Sequence, residues 1–261
     1  MCIRVETFSA RSPVLRRLAL APLLALGLTA CAYNADLGRD QLLIVKDNGL
    51  ASAGEKAWAK TLKTGYLSSD PGRNARVRAV GQRVVTAAGL NNRPWDYAVL
   101  INELPNAFVL PGGHVGVTTG LLDMVDNDDQ LAAVIGHEAG HVVAQHAAER
   151  YSQSVTSKLL LGVASAAAGP SSELARGLKT YGDDATDYLF LLPFSRKHEL
   201  EADRLGVDYM QRAGYRPREA VVLWRKMQAQ GGGGQPEIAS THPSDATRIA
   251  ALQTYLASKG W

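Results

Sequence analysis

One stretch of the sequence, VIGHEAGHVVAQH at residues 134–146, limits the fold more than any other. It holds three of the six histidines in the chain, together with a glutamate. Apolar residues on several of its sides predict a buried helix, which we expect to run from about Asp129 to Tyr151. Burying histidine and glutamate without partners is costly, so the surrounding fold must supply partners. Gly136 and Gly140 each cost about 1 kcal/mol of helix propensity, and we expect them to allow close approach of another element.

His137 and His141 are four residues apart and therefore lie on the same face of this helix. The His-Glu-x-x-His spacing allows two imidazoles to bind one zinc ion, with Glu138 as the general base. His146, five residues after His141, points elsewhere and is expected on the helix surface. The alternative is a buried, hydrogen-bonded helix without a metal ion.

A catalytic zinc ion takes three protein ligands and keeps the fourth position for water. The further histidine of metzincins is excluded, because position 147 is alanine. A second helix, with three acids, is predicted at residues 195–206, SRKHELEADRLG. Glu199 and Asp203 share one face of it, so Glu199 can bind zinc while Asp203 orients a zinc-bound histidine. Glu201 points roughly opposite, and in the alternative of an exposed helix these acids pair with neighbouring basic side chains.

The N-terminus has the features of a lipoprotein signal. Residues 1–30 carry four arginines and one acid. The apolar run at residues 18–28 is too short to span a bilayer as a helix, which takes roughly 20 residues. Leu28-Thr29-Ala30-Cys31 resembles the bacterial lipobox, so we expect cleavage before Cys31 and a lipid anchor on it. Ala32 resembles the signal for sorting to the outer membrane, and the alternative is a soluble exported protein.

Beyond residue 30 the chain is electrically balanced, with 24 basic and 24 acidic side chains. Neither a basic run nor an RNA-binding aromatic motif is present, which excludes nucleic acid as a partner. After cleavage Cys31 would be the one cysteine left in the chain, so no structural disulfide is expected.

Away from the histidine-bearing helix, the pattern predicts mostly helices with one small β region. We expect a helical segment at residues 36–65 and a helix at residues 75–88. Residues 95–101 predict a strand, and residues 104–119 predict two short strands around a Pro-Gly-Gly turn. The acids and asparagine at residues 126–129 supply N-cap chemistry for the histidine-bearing helix.

Three further features carry structural expectations. His114 is expected to face solvent, and His198 to be structural. The apolar segment at residues 159–168 is again too short to span a bilayer. It is expected to be a buried hairpin, a lid over the cleft or a membrane-facing patch.

Three motifs resemble those of the BepA/LoiP/HtpX family of zinc metallopeptidases, which also includes the CAAX prenyl proteases. They are His137-Glu138-Ala-Gly-His141, the helix containing Ser195-Arg196, Glu199-x-Glu201-Ala202-Asp203 and Gly206, and Thr241-His242-Pro243. Asn106-Ala107-Phe108 with Pro111-Gly112-Gly113 resembles the active-site edge strand of that family. The resemblance covers about residues 66–250. Since the sequence ends at Trp261, we expect no counterpart of the C-terminal helical-repeat domain of some members.

The resemblance implies an α+β, mainly helical fold, with a zincin-like (gluzincin-type) metallopeptidase domain, a small β-sheet and two active-site helices. The implied ligands of one zinc ion per chain are His137, His141 and Glu199. Glu138 is the implied base, and Asp203 is the orienting residue or proton donor. Glu201 stays the alternative ligand, although the register of the family motif favours Glu199.

Two roles are open for His242. It can donate a hydrogen bond to the oxyanion of the transition state. The resemblance to the family implies another role, that of an inhibitory fourth zinc ligand that moves away on activation. Arg248 is expected to contact substrate or to brace the His242 loop, with structural pairing as the alternative. The strand residues Asn106, Ala107 and Phe108 are expected to bind an extended peptide by β-augmentation.

The sequence thus predicts a zinc endopeptidase that hydrolyses unfolded or misassembled cell-envelope proteins, with the outer-membrane assembly machinery as a further partner. The predicted location is the periplasmic face of the outer membrane, with the inner membrane as the less favoured choice. The alternatives are a non-hydrolytic, metal-bound, chaperone-like protein held inactive by His242, and a wall-peptide hydrolase. Three segments are expected: a signal peptide at residues 1–30, an N-terminal helical segment at residues 31–65 and the metallopeptidase domain at residues 66–261.

Overall fold

The structure is a computed structural model that describes residues 31–168, 194–230, 242 and 246–261. The predicted signal peptide therefore lies outside the described residues. In chain order the elements are β1 (Cys31–Asn34), β2 (Arg39–Leu42), α1 (Asp47–Thr64), α2 (Pro71–Ala87), β3 (Asp96–Leu100), β4 (Ala107–Leu110), β5 (His114–Thr118), α3 (Thr119–Met124), α4 (Asp128–Val143), α5 (His146–Ala168), α6 (Arg196–Arg212), α7 (Arg218–Gln230) and α8 (Ala246–Ser258). The fold is mainly helical with small sheets, as predicted.

A three-stranded sheet has the order β3-β5-β4, in which β5 pairs parallel with β3 and antiparallel with β4. The turn Pro111-Gly112-Gly113 joins β4 to β5. Gly112 and Gly113 have φ values of 104° and 101°, which residues with a Cβ rarely adopt. The strands predicted at residues 95–101 and 104–119 are confirmed, and β4 lies at one edge of the sheet.

The sheet and the helices share one apolar core. Val99, Val115 and Val117 of β3 and β5 are buried in the same cluster as the apolar residues of α4. Asn127 caps α4, because its side chain accepts a hydrogen bond from the backbone N–H of Gln130. The predicted N-cap chemistry is therefore confirmed, and it fixes where the histidine-bearing helix begins.

Residues 31–42 form a β-hairpin, so the helix predicted for the chain from residue 36 is wrong over this part. The Asn34 side chain accepts hydrogen bonds from the backbone N–H groups of Asp36 and Leu37, and Gly38 adopts a φ of 65°. These are turn interactions, and they favour chain reversal over a helix despite the polar-apolar pattern. The helical prediction is correct only from α1 onward.

The single helix predicted over residues 129–151 is two helices. Gln145 has a φ of 51° between α4 and α5, and His146 is the first residue of α5. A left-handed conformation costs a residue with a Cβ roughly 1–2 kcal/mol, so tertiary contacts must hold it. One such contact is the 2.7 Å hydrogen bond from Gln41 Nε2 to the carbonyl of Ala144. Neither glycine nor proline marks this break, which is why the local pattern does not reveal it.

α4 and α6 cross in close contact. A Cβ built on Gly140 would lie 2.7 Å from the carbonyl oxygen of Ala202, and one on Gly136 would lie 2.9 Å from that of Gly206. The predicted reason for both glycines in α4 is confirmed. Their small size sets how near the side chains of the two helices can approach one another.

We expect Gly140→Ala to lower the free energy of unfolding by about 1–3 kcal/mol, because the added methyl group collides with the backbone of Ala202. Helix propensity alone would raise it by about 1 kcal/mol, so the sign of the change separates the two effects. Urea unfolding of zinc-free protein measures it, with Gly72→Ala at the exposed start of α2 as the control. Unchanged or increased stability of Gly140→Ala would show that α4 and α6 can move apart to fit the methyl group without loss of folding free energy.

Within the described residues, no helix combines the length and the apolar character needed to cross a membrane. The apolar run at residues 159–168 lies at the end of α5. The lid or membrane-facing role expected for it stays a prediction.

Candidate metal centre

α4 and α6 bring the three predicted ligands together. His137 and His141 lie one turn apart on α4, and Glu199 lies on the facing helix α6. His242 joins them, and the ligand atoms of these four buried side chains all lie within 4.8 Å of one another. This group, His137, His141, Glu199 and His242, is called the metal cluster below.

The distances inside the metal cluster are short. His137 Nε2 lies 3.1 Å from His141 Nε2 and 3.2 Å from His242 Nδ1. Glu199 Oε1 lies 3.0 Å from His242 Nδ1 and 3.4 Å from His141 Nε2. Imidazole nitrogens that converge in this way repel one another unless a proton or a cation lies between them. Histidine nitrogens and a carboxylate are the ligands that zinc takes in hydrolytic sites, so the residues fit the predicted cofactor.

The charges around the metal cluster favour a bound cation. Burial lowers the pKa of His141 well below its usual value, which keeps its imidazole neutral. Burial alone would raise the pKa of Glu199, but the charge of His137 and the hydrogen bonds from the histidines lower it strongly. Burial and Arg248 alone would lower the pKa of His137, but Glu199 and Asp203 raise it to about 9. Without a metal ion the cluster therefore holds a proton on His137 beside an ionised carboxylate, and a bound cation would replace that proton.

Asp203 and Arg248 fix the orientation of His137 through Nδ1, the ring nitrogen that faces away from the metal cluster. Asp203 Oδ1 lies 2.9 Å from His137 Nδ1, so it accepts the proton on Nδ1 and leaves Nε2 facing the metal cluster. Arg248 donates to both carboxylate oxygens of Asp203, from Nε at 2.5 Å and from Nη2 at 2.8 Å. Burial alone would raise the pKa of Asp203, but Arg248 lowers it and keeps the carboxylate ionised.

Arg248 lies beneath the metal cluster. It is 1% exposed, its Nη1 lies 2.8 Å from Glu199 Oε2, and its guanidinium stacks 4.4 Å over the ring of Trp224. These contacts favour the bracing and pairing alternatives for Arg248. The predicted contact with substrate has no support from this position and stays a prediction.

Glu138 lies beside the metal cluster and faces the sheet. Its Oε1 is 3.5 Å from His242 Nε2, and the backbone N–H of Val109 on β4 donates to its carboxylate. Burial raises the pKa of Glu138, although His242 and His137 lower it in part. A raised pKa makes the carboxylate a stronger base, which suits a group that takes up a proton and later releases it.

The predicted substrate strand is close to these groups. Asn106 pairs with β5 through the 2.9 Å hydrogen bond from Thr118 N to its carbonyl, Ala107 is buried, and Phe108 is half-buried. Asn106 and Phe108 also line a cleft of about 350 Å³ beside the exposed Tyr66. The edge strand thus contacts both Glu138 and a cleft that is lined by polar and apolar residues.

His146 is buried, so the prediction that it lies on the helix surface is wrong. It is 0% exposed, and its Nδ1 lies 2.9 Å from His141 Nδ1. On a continuous helix, five residues would turn it well away from His141. The break at Gln145 reorients α5 and returns His146 to the back of the metal cluster.

Glu201, the alternative ligand, lies outside the metal cluster. Its carboxylate accepts hydrogen bonds from Arg39 on β2 and lies 3.0 Å from His146 Nε2. Burial alone would raise the pKa of Glu201, but these hydrogen bonds lower it to about 2. His198 stacks on His146 at 4.3 Å, in line with its predicted structural role.

His114 is buried as well, which makes its predicted exposure to solvent wrong. It is 4% exposed, stacks on Trp58 and lies 3.2 Å from both Glu55 Oε1 and Asp96 Oδ2. A strand residue beside a turn can face either side, and α1 covers the side on which His114 lies.

Phe194 has no sequence signal that marks it as part of the site. Its ring centroid lies 4.0 Å from that of His141 and 5.3 Å from that of His242. The aromatic ring therefore packs against one side of the metal cluster. Its position in the sequence is the one available hint, because Phe194 immediately precedes Ser195, where the predicted second helix begins.

Comparisons with known proteins agree with this geometry. Residues 71–256 match the model of peptidase family M48. The chain is 38% identical over 182 residues to the mitochondrial metalloendopeptidase OMA1 of Schizosaccharomyces pombe, covering 69% of this chain and 52% of that protein. It is 30% identical over 192 residues to the beta-barrel assembly-enhancing protease of Escherichia coli K12, covering 70% of this chain and 39% of that protein.

The human metalloendopeptidase OMA1 is 30% identical over 230 residues, which cover 82% of this chain and 44% of that protein. The chain thus spans about half of these relatives' length or less. The family model covers most of the chain and includes both helices of the metal cluster. The predicted relationship is therefore confirmed, and the chain belongs to peptidase family M48, a family of zinc metallopeptidases.

Proposed function

We propose that this protein is a zinc-dependent endopeptidase. The observation that carries the proposal is the convergence of His137, His141 and Glu199 at one buried point, with Glu138 beside it and in contact with the edge strand β4. These three residues would hold a zinc ion, which would supply Lewis acidity to the reaction.

The protein's own groups have separate tasks in this reaction. Glu138 takes the proton of the attacking water on its carboxylate and later delivers it to the nitrogen of the leaving amine. Asp203 keeps the proton of His137 on Nδ1, so that Nε2 stays a ligand. Phe194 limits access of bulk water to the site.

The edge position of β4 supports an extended polypeptide as substrate. A peptide paired with this strand is bound mainly through its backbone, which imposes little sequence preference. The cleft near Asn106 and Phe108, with a lining that is partly polar and partly apolar, would take a side chain of the same peptide. Extended segments that are free to pair with a strand are exposed in unfolded proteins, so unfolded or misassembled chains are the proposed substrate class.

The proposed location is the periplasmic face of the outer membrane, with a lipid anchor on Cys31. In the structure Cys31 begins β1 and is exposed, as an anchored residue must be. The similarity to a beta-barrel assembly-enhancing protease supports envelope proteins as substrates and the outer-membrane assembly machinery as a partner.

The test uses the full-length protein in detergent. We expect one zinc ion per chain by metal analysis, and cleavage of reduced, carboxymethylated α-lactalbumin but not of the native, calcium-bound form. Removing zinc with a chelator should abolish cleavage and lower the Tm, because a ligand bound only to the folded state stabilises it. Zinc-bound protein that cleaves peptidoglycan fragments and neither form of α-lactalbumin would contradict the proposal.

A second candidate is a non-hydrolytic, chaperone-like binding protein. The observation in its favour is His242, which lies within the metal cluster where a fourth ligand would lie. Zinc binding together with capture of unfolded α-lactalbumin, and no cleavage by the unaltered protein or by His242→Ala, would favour it.

A further inference from the structure

We propose that His146 is a positioning residue that orients His141 toward the metal, and that it is held in place by Glu201 and by Arg39 of the N-terminal hairpin. The inference rests on the proposed zinc site. It assigns a task to a buried histidine, an acid and a hairpin that the site described so far does not use.

The contacts form a continuous chain from the metal cluster to the hairpin. His141 Nδ1 lies 2.9 Å from His146 Nδ1, and His146 Nε2 lies 3.0 Å from Glu201 Oε2. Arg39 then donates to both oxygens of Glu201, from Nε at 2.7 Å and from Nη2 at 2.8 Å. Each member is buried or nearly so, with Glu201 and Arg39 only 14% and 15% exposed.

The direction of each hydrogen bond follows from what each group can donate. An ionised Glu201 only accepts, so His146 must carry a proton on Nε2. In a neutral imidazole the other nitrogen, Nδ1, is then an acceptor, and it takes the Nδ1 proton of His141. His141 Nε2 is left without a proton, and its lone pair points at His137 Nε2 and Glu199, where the ion binds.

The two ligating histidines of α4 are thus supported in parallel ways. His137 Nδ1 is held by Asp203, whose carboxylate is fixed by Arg248. His141 Nδ1 is held by His146, whose Nε2 is fixed by Glu201 and Arg39. In both cases a carboxylate–arginine pair ends the chain, because a metal-bound histidine needs an acceptor for its second nitrogen.

Residues far apart in sequence build this support. The break at Gln145 places His146 behind His141, and Gln41 of the hairpin donates 2.7 and 2.6 Å hydrogen bonds to Ala144 O and Glu149 Oε2. The hairpin at residues 31–42 lies outside the segment that matches the family model. It therefore adds a support for His141 from beyond the matched domain.

The test compares two variants of the same shape. His146→Leu removes the acceptor, whereas His146→Asn keeps an oxygen where Nδ1 lies. We expect His146→Leu to weaken zinc binding by about 10–100-fold and His146→Asn to recover most of that loss, since residues that orient a metal ligand have effects of this size. Zinc affinity of full-length protein in detergent is measured by competition with a chromophoric chelator.

The absorption of the Co²⁺-substituted protein gives a second readout, since its d–d bands report how His141 is held. Only His146→Leu should shift these bands. His114→Leu is the control, because His114 is buried with acidic partners away from the metal cluster. It should leave both readouts unchanged.

Equal zinc affinities of His146→Leu and His146→Asn would overturn the inference, since a packing role alone would affect both alike. If His146→Leu fails to fold, Arg39→Met is used instead, and we expect its zinc affinity to be about tenfold lower than that of the unaltered protein. Unchanged affinity in that variant also overturns it. If the unaltered protein does not bind zinc, the proposed function is overturned together with this inference. If the unaltered protein binds zinc and only the variants behave differently from expectation, the inference alone is overturned.

Discussion

Replacing Glu138 by glutamine is expected to lower the kcat for cleavage of unfolded protein by about 10²–10⁴-fold, the range for loss of a general acid–base group. Glutamine has nearly the same shape but cannot take up or deliver the proton. Glu138 lies next to the metal cluster but outside its ligand set, so zinc content should stay at the level of the unaltered protein. Initial rates with carboxymethylated α-lactalbumin, measured beside metal analysis, give the result.

The matched control is Glu103→Gln, which makes the same chemical change at an exposed loop residue and should leave kcat unchanged. Cleavage by Glu138→Gln within tenfold of the unaltered rate would assign the proton transfer to another group. If the variant lost its zinc as well as its activity, Glu138 would be needed for metal binding, and the lost activity would not report on proton transfer.

His242→Ala is expected to raise the rate of cleavage by about tenfold or more. His242 Nδ1 lies 3.0 Å from Glu199 Oε1 and 3.2 Å from His137 Nε2, a position that suits a fourth ligand better than a donor to substrate. When the state competent for reaction is about 0.1–10% populated, removing the group that closes it raises the rate by the inverse of that fraction. The same initial-rate assay measures the change.

His242→Cys is the control for this prediction, because a thiolate can take the place of the imidazole on zinc. We expect it to stay as slow as the unaltered protein. If His242→Ala instead loses activity to the extent expected of Glu138→Gln, His242 is the donor to the oxyanion and the site is open at rest.

The elements predicted best are those fixed by neighbours in sequence. The strands around Pro111-Gly112-Gly113 and the start of α4 at Asn127 depend on turn and cap residues that interact within a few positions. The hairpin at residues 31–42 was not predictable in this way. Its turn residues compete with a polar-apolar pattern typical of a helix, and buried contacts of Gln41 with distant residues decide the outcome.

The sequence by itself determined the chemistry of the site. His137 and His141 share a face because they are four residues apart on one helix, and the spacing of Glu199 and Asp203 works in the same way. Helix geometry is local, so these pairs keep their relation in any fold that preserves the two helices. The glycines in α4 also predicted the close approach of another element, which the structure shows to be α6.

Only the tertiary structure decided which other residues contact the predicted zinc ligands. The reversal at Gln145 brings His146 behind His141, and the N-terminal hairpin places Arg39 against Glu201. The crossing of α4 and α6 brings Glu199 to the two histidines, and His242, which lies on neither helix, joins them in the metal cluster. These contacts join residues up to 162 positions apart. They depend on how whole elements pack, and no spacing within a single helix or strand encodes that packing.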